Sequence, residues 1–197
     1  MLRGVVFDLD GTLVDSRLDF DAMRREMGLV SRTPVLEAIA ALPSEEAERC
    51  REILLRHEHE GAQRAVPMTG AKSLVAEFAR RRLRQGVVTR NSREMAVAML
   101  ACLSQTFDPV FTRDDGPVKP DPWAMRETCR RWRVDPQEVV VIGDYRFDVE
   151  AGRAAGMRTV LIAQPDDVEA RLGGELADLV LDSLLERERL FDFLAGG

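Results

Sequence analysis

The chain of 197 residues is nearly without lysine. Only Lys72 and Lys119 occur, and every other basic position is arginine. In such a chain a lysine inside a motif is more informative than usual. Cysteine is also scarce: Cys50, Cys102 and Cys129 lie far apart, with no C-x-x-C. Three thiols build no regular disulfide framework, so a reduced, cytoplasmic setting is expected. No apolar run approaches the length of about 20 residues that spans a bilayer. The amino terminus has one arginine and then a short apolar run ending in Asp-Leu-Asp, too short and too acidic for a signal peptide. Neither G-x-x-x-x-G-K-[ST] nor G-x-G-x-x-G occurs, so no nucleotide P-loop or dinucleotide site is expected. A net charge of −6 argues against a nucleic-acid partner. There is no internal repeat and no low-complexity tract.

What is present is ordinary for a soluble globular protein, with 45% hydrophobic and 31% charged residues. The length suits one domain, or a core with a small insert. The most informative stretch runs from Val5 to Ser16, Val-Val-Phe-Asp-Leu-Asp-Gly-Thr-Leu-Val-Asp-Ser. An apolar run from Gly4 to Phe7 reads as a strand buried on both faces of a parallel sheet. Two carboxylates inside such a sheet would be costly. Asp8 and Asp10 therefore belong at its carboxyl end, where open α/β sheets bind ligands. Residues two apart on a strand point the same way. The pair thus converges on one spot, suited to a divalent cation. Gly11 permits the sharp turn that follows.

Further along, Leu13 to Phe20 reads as a loop or small hairpin. From about Phe20 to Arg64 the pattern is helical, with starts at Thr33-Pro34 and at Ser44, the latter as N-cap of one long helix. Thr69-Gly70 opens a helix ending in the arginine-rich run Arg80 to Arg84, whose charge suits the negative helix end. Gly86 to Thr89 is a second strand, and Asn91 to Glu94 caps the next helix, with Asn91 read as its cap. Val110 to Thr112 is a third strand, and Asp121-Pro122 starts another helix. Val139 to Asp144 is a fourth strand, and Thr159 to Ala163 a fifth. Asp178 to Leu181 is a candidate edge strand, with a terminal helix after Leu184. Alternating strands and helices indicate an α/β fold, a parallel sheet with helices on both faces. His57 and His59, two apart on a helix, do not share a face and are not read as a metal site. Trp123 and Trp132 are read as packing residues, and Lys72 as solvated.

Four strand ends carry chemistry: Asp8 and Asp10; Thr89-Arg90-Asn91; the loop with Lys119; and Asp144 with Asp148. In a doubly wound sheet these share one edge. Carboxylates for a cation, hydroxyl and amide donors, and one ammonium are what a phosphate dianion with Mg²⁺ requires. These residues resemble the haloacid dehalogenase superfamily, specifically its phosphoglycolate-phosphatase-like branch. Asp8 to Ser16 is similar to the family's first motif, Thr89 to the second, Lys119 in Val-Lys-Pro-Asp-Pro to the third, and Gly143 to Gly152 to the fourth.

The resemblance implies a three-layer Rossmann-like sheet of order 3-2-1-4-5. Residues 1–18 and 65–197 would form the core, and residues 19–64 a small helical cap. It implies hydrolysis of a small phosphorylated metabolite; for the oligomeric state a monomer is the default, with a dimer as the alternative. Asp8 would be the nucleophile, forming a phosphoaspartyl intermediate. Asp10 would be the general acid and base, its pKa raised by Asp8 and Asp144 and lowered by Mg²⁺ and Lys119. The Asp8 carboxylate, the Asp10 carbonyl and Asp144 would bind Mg²⁺, with Asp148 direct or through water. Gly11, Thr12, Thr89, Arg90, Asn91 and Lys119 would face the substrate, with Thr89 and Lys119 on the phosphoryl oxygens. Asp10 separates phosphatases from dehalogenases, which lack an acid/base aspartate there. Two positions depart from the pattern. Arg90 stands where asparagine is common, and is read as a phosphate contact, a reader of a second anionic group, or a solvent-facing side chain. Tyr145 replaces a small hydroxyl residue. A phosphosugar mutase, or a weakly active binding protein on the same scaffold, are the alternatives.

Overall fold

In the computed structural model, residues 1–29, 33–163 and 174–196 are described. The first strand, β1 (Gly4–Phe7), is buried throughout and lies at the centre of a six-stranded parallel sheet. It pairs on one side with β4 (Arg84–Val88) and on the other with β6 (Val139–Gly143). β5 (Val110–Phe111) lies outside β4, and β7 (Arg158–Ile162) and β8 (Leu179–Leu181) continue beyond β6. The order is β5-β4-β1-β6-β7-β8. The expected order of five strands appears unchanged, and the candidate edge strand supplies the sixth.

The sheet has a hydrophobic core on each face because side chains alternate along each strand. Val5 and Phe7 join Leu74, Phe78 and Met99 on one side. Val6 joins Met125, Trp132 and Val141 on the other. The helices that cover these faces are α4 (Ala71–Arg80), α5 (Arg93–Leu100), α6 (Trp123–Trp132), α7 (Arg146–Ala155) and α8 (Arg187–Ala195). Trp132 packs as expected and its indole N–H donates to the Asp108 carbonyl at 2.8 Å. Among the described residues, no helix is long and apolar enough to cross a membrane.

The described residues of the insert form three helices, α1 (Phe20–Met27), α2 (Val35–Ala40) and α3 (Ser44–Arg64). They enclose a separate small core of Met23, Met27, Ile39, Cys50 and Leu54, among others. At its root, β2 (Val14–Asp15) pairs antiparallel with β3 (Val66–Pro67), so the outgoing and returning chains are hydrogen-bonded to each other. The hairpin expected within Leu13 to Phe20 is thus a long-range ribbon closing across the whole insert.

Several helix starts differ from expectation. Ser44 is the first helical residue rather than the cap; Pro43 precedes it in extended geometry and no side chain caps the end. Pro34 likewise flanks α2 without a side-chain cap. Asp121 accepts the Trp123 N–H at 2.8 Å, but Pro122 lies before the first helical turn. Ser92, not Asn91, caps α5, accepting from Met95. In each case the start is displaced by one residue, and only at α5 does a neighbouring side chain, Ser92, take the cap role. Arg80 and Arg81 both pair with Glu77, and Arg84 donates to the Trp132 carbonyl. That arginine run is engaged within the protein.

Two arginines of the sheet edge hold the helical insert down. Arg90 Nη2 donates to both carboxylate oxygens of Glu37 on α2, at 2.7 and 2.6 Å. Arg113, in the loop after β5, pairs through both terminal nitrogens with Glu58 on α3, one contact at 2.8 Å. Glu58 is only 5% exposed. Arg113 also donates to the Arg90 carbonyl and Arg90 to the Lys119 carbonyl, so the two clasps are continuous. Removing one member of a buried pair strands the other charge, at about 3–5 kcal/mol. Arg113→Met is therefore expected to lower stability in chemical denaturation by about that much. The double replacement Arg113→Met with Glu58→Leu should recover most of the loss. Equal losses in the single and double variants would show that the pairing itself contributes nothing.

Candidate active site

The sheet register brings the chemistry to one level. Phe7 is opposite Val87 on β4 and Ile142 on β6. The next residues beyond these strands are Asp8, Thr89 and Asp144, all at the carboxyl edge. Main-chain bonds hold that level, from Asp8 N–H to the Ile142 carbonyl and from Thr89 N–H to the Phe111 carbonyl, each 2.9 Å.

A cavity of about 500 Å³ opens there, between the sheet edge and the helical insert. Asp8, Asp10, Gly11, Thr89, Arg90, Asn91, Lys119, Asp144 and Asp148 all line it. Thr12 does not. It is fully buried, and its hydroxyl donates to Asp144 Oδ1 at 2.8 Å. Thr12 therefore orients a carboxylate instead of meeting a ligand. Asn91 lines the cavity, with its amide near the Met99 sulfur and its main-chain N–H donating to the Thr89 hydroxyl at 3.2 Å. The histidines lie elsewhere: His57 bonds Glu26 and His59 bonds Gln63.

Lys119 is buried and donates to Asp8 Oδ1, and to Asp148 Oδ1 at 2.6 Å. Burial works against its positive charge, but Asp148 and Asp8 outweigh that and hold its pKa above the usual lysine value. Carboxylate oxygens of Asp8, Asp144 and Asp148 lie within 4.8 Å of one another. Three acids so close share one ammonium, which leaves net negative charge in a dry place. Burial, then Asp8 and Asp148, raise the Asp144 pKa well above the carboxylate range. Burial likewise pushes Asp148 up to about 6, although Lys119 pulls against it. An all-oxygen donor set with excess negative charge suits a hard divalent cation. Glycines make the room: a Cβ on Gly11, at φ +85°, would lie 2.2 Å from Asp144 Oδ2, and one on Gly143 2.2 Å from Asp148. Asp148 also accepts the Tyr145 N–H at 3.1 Å, a main-chain bond that does not depend on which side chain stands at 145.

Asp10 is held apart from this cluster. It accepts the Ser16 N–H at 3.0 Å. Burial raises its pKa, Ser16 partly offsets this, and Asp15 and Glu58 add to the rise. The expected contributors, Asp8 and Asp144, give way to residues of the ribbon and the insert. Asp10 is thus engaged by Ser16 and is not one of the three carboxylates that lie within 4.8 Å of one another. Arg90, expected to meet phosphate, a second anion or solvent, instead bonds Glu37 and lies over the Phe147 ring, 4.8 Å from its centre.

The insert and the segment leading into it add lining that sequence reasoning did not find: Arg17, Leu18, Phe20, Arg24, Val35, Leu54 and Glu58. These residues carry no motif. Only the i, i+4 spacing of Phe20 and Arg24 could have suggested that they share a face.

An open parallel sheet that gathers three carboxylates around one buried lysine, under a helical insert, defines an α/β protein with a cation-compatible ligand cleft. The sequence pattern of the haloacid dehalogenase-like hydrolases matches residues 17–162. An N-acetylmuramic acid 6-phosphate phosphatase of Pseudomonas putida is 31% identical, over 97% of this chain and 96% of its own. A phosphoglycolate phosphatase of Cupriavidus necator is 32% identical, over 91% and 89%. A beta-phosphoglucomutase of Clostridium difficile superposes with a TM-score of 0.78 at 19% identity, over 100% and 98%, which shows a shared fold. The chain belongs to the haloacid dehalogenase-like hydrolases.

The raised acids set a pH dependence. A carboxyl group whose folded pKa lies above its unfolded value favours folding when protonated. That contribution is lost as pH rises from about 4 toward 6, where Asp148 ionises. Metal-free protein should therefore lose stability over this interval. Added Mg²⁺ should raise Tm more at pH 7.5 than at pH 5, when thermal unfolding is followed with and without chelator. An equal Mg²⁺ effect at both values would contradict the cluster as its site.

Proposed function

We propose that this protein hydrolyses small-molecule phosphomonoesters through a phosphoaspartyl intermediate on Asp8. The observation that carries this is the convergence of Asp8, Asp10, Thr89, Lys119 and Asp144 on one cavity. Relatives named as phosphatases of N-acetylmuramic acid 6-phosphate and of phosphoglycolate support a phosphorylated metabolite as substrate. Mg²⁺ fits the oxygen donors of Asp8, Asp144, the Asp10 carbonyl and Asp148, the last direct or through water. Bound there it would neutralise phosphoryl charge and help align the ester.

In this reading Lys119 and Thr89 hold the phosphoryl oxygens. Asp8 Oδ attacks phosphorus in line as the ester P–O bond breaks, and Asp10 gives its proton to the departing alkoxide. Asp10, now ionised, takes a proton from water. The resulting hydroxide attacks phosphorus and releases Asp8 and phosphate. A raised pKa at Asp10 serves the first proton transfer, since the acid must be protonated when the ester arrives. Lys119 donates to Asp8 Oδ1 and so fixes the orientation of the attacking carboxylate. The three free cysteines accord with a reducing, cytoplasmic setting.

The test is phosphate release from a panel of metabolite esters with Mg²⁺ and with chelator. Asp8→Asn is expected to lose roughly a thousandfold or more in turnover. Asp10→Asn should lose about 10²–10⁴-fold. Undiminished turnover by Asp8→Asn would overturn the nucleophile assignment. Isomerised phosphosugar formed without phosphate release would replace hydrolysis by mutase chemistry.

A further inference from the structure

The cavity has two electrostatically different ends. At the sheet edge its cations are already committed. Lys119 is bound by Asp8 and Asp148, and Arg90 by both oxygens of Glu37. At the end formed by the insert, two further arginines line the same cavity, Arg17 and Arg24. Among the described residues, the Arg17 guanidinium pairs with no carboxylate; its main-chain N–H donates to Asp15 Oδ1 at 2.8 Å, and its backbone is held in the left-handed region at φ +55°. A non-glycine residue there is uncommon, and such positions collect around ligand sites.

Among the described residues, Arg24 has one ion-pair contact, a 3.5 Å approach to Asp21, which is 83% exposed. A pair of that kind is weak. Its Nε–H is closed off from solvent and has no acceptor. Buried guanidinium N–H groups are normally satisfied, so Arg24 is under-paired where its side chain, 22% exposed, meets the cavity. A carboxylate or phosphate in the cavity would take the terminal nitrogens, the two-point contact arginine is shaped for. Phe20 lies one helical turn before Arg24 on the same face of α1, is 46% exposed, and also lines the cavity. Val35 and Leu54 give the cavity further apolar lining from α2 and α3. The carboxylates that share this lining are engaged elsewhere, Glu58 with Arg113 and Asp15 with the Arg17 main-chain N–H, so Arg17 and Arg24 remain the cations open to a ligand there.

We propose that Arg24, assisted by Arg17, determines specificity by binding a second anionic group on the alcohol part of the substrate. The preferred substrates are then phosphomonoesters that also carry a carboxylate or a second phosphate. Esters of neutral alcohols fill the phosphoryl end alone. This rests on the phosphatase reading above, and it names the substrate class of that site.

The test uses pairs that differ by the second anion. Turnover is compared for 3-phosphoglycerate against glycerol 3-phosphate, and for glucose 1,6-bisphosphate against glucose 1-phosphate. The first pair reports a carboxylate and the second a phosphate. Binding is measured separately, by thermal shift with 2-carboxyethylphosphonate against propylphosphonate, which need no turnover. At least one anionic member should be favoured about tenfold in kcat/KM, chiefly through KM. The carboxylated phosphonate should bind more tightly than the propyl compound. Arg24→Gln should collapse these ratios toward one, and Arg24→Lys should keep part of them. Should Arg24→Gln fail to fold, Arg24→Lys and Arg17→Gln carry the comparison. Ester hydrolysis with ratios near one for both pairs, or ratios unchanged in the Arg24 variants, would overturn the inference and leave the phosphatase reading standing. Discrimination between the phosphonates without hydrolysis of any ester would do the reverse. Neither hydrolysis nor discrimination would remove both.

Discussion

The double ion pair of Lys119 with Asp8 and Asp148 is the contact on which the site depends. Three carboxylates converge at the sheet edge, and burial there makes each charge expensive. One ammonium cannot balance all three. Asp144 and Asp148 are accordingly driven toward their protonated forms. This imbalance makes the cluster receptive to a divalent cation, and it explains why the only lysine near it is fully enclosed. The same economy appears in Gly11 and Gly143, where any side chain would collide with the carboxylates. Stability has been given up at this edge in exchange for a prearranged field of charge.

The helical insert is coupled to that edge by more than contact. Glu37 and Glu58 reach down to Arg90 and Arg113, and those arginines bond the main-chain carbonyls of Lys119 and Arg90. A chain of hydrogen bonds therefore runs from α3 to the loop that carries the central lysine. Glu58 also contributes to the raised pKa of Asp10. The insert thus bears on proton affinity at the site as well as forming the far wall of the cavity. The ribbon of Val14–Asp15 with Val66–Pro67 ties both ends of the insert to each other, so the chain leaves for the insert and returns from it side by side.

Much of this could be read in the chain, and the exceptions have a common cause. The strands declared themselves because their apolar runs are short, continuous and bounded by polar residues. Asp8, Asp10, Thr89, Lys119 and Asp144 stood out because each follows such a run or its loop. Thr12 belonged to the same motif, but its hydroxyl turns inward to Asp144. A local motif does not say which of its members face the cleft. Arg90 was read without its partner. Its partner, Glu37, is distant in the chain and lies on a different element, so no periodicity links the two. The cap residues of α3 and α5 shifted by one position, because proline, serine and asparagine are near equivalents at a helix start.

Local order and hydrophobic period were enough to specify a parallel α/β sheet, its strand order by resemblance, and the carboxylates at its edge. Those properties follow from the alternation of strands with helices and from the cost of burying charge inside a strand. Only the folded chain decided how the charges are shared: which acid meets Lys119, which arginines are spent on the insert, and which are left facing the cavity. Ion pairing depends on distances of a few ångströms between residues far apart in sequence. Such distances are set by how the insert packs onto the sheet edge.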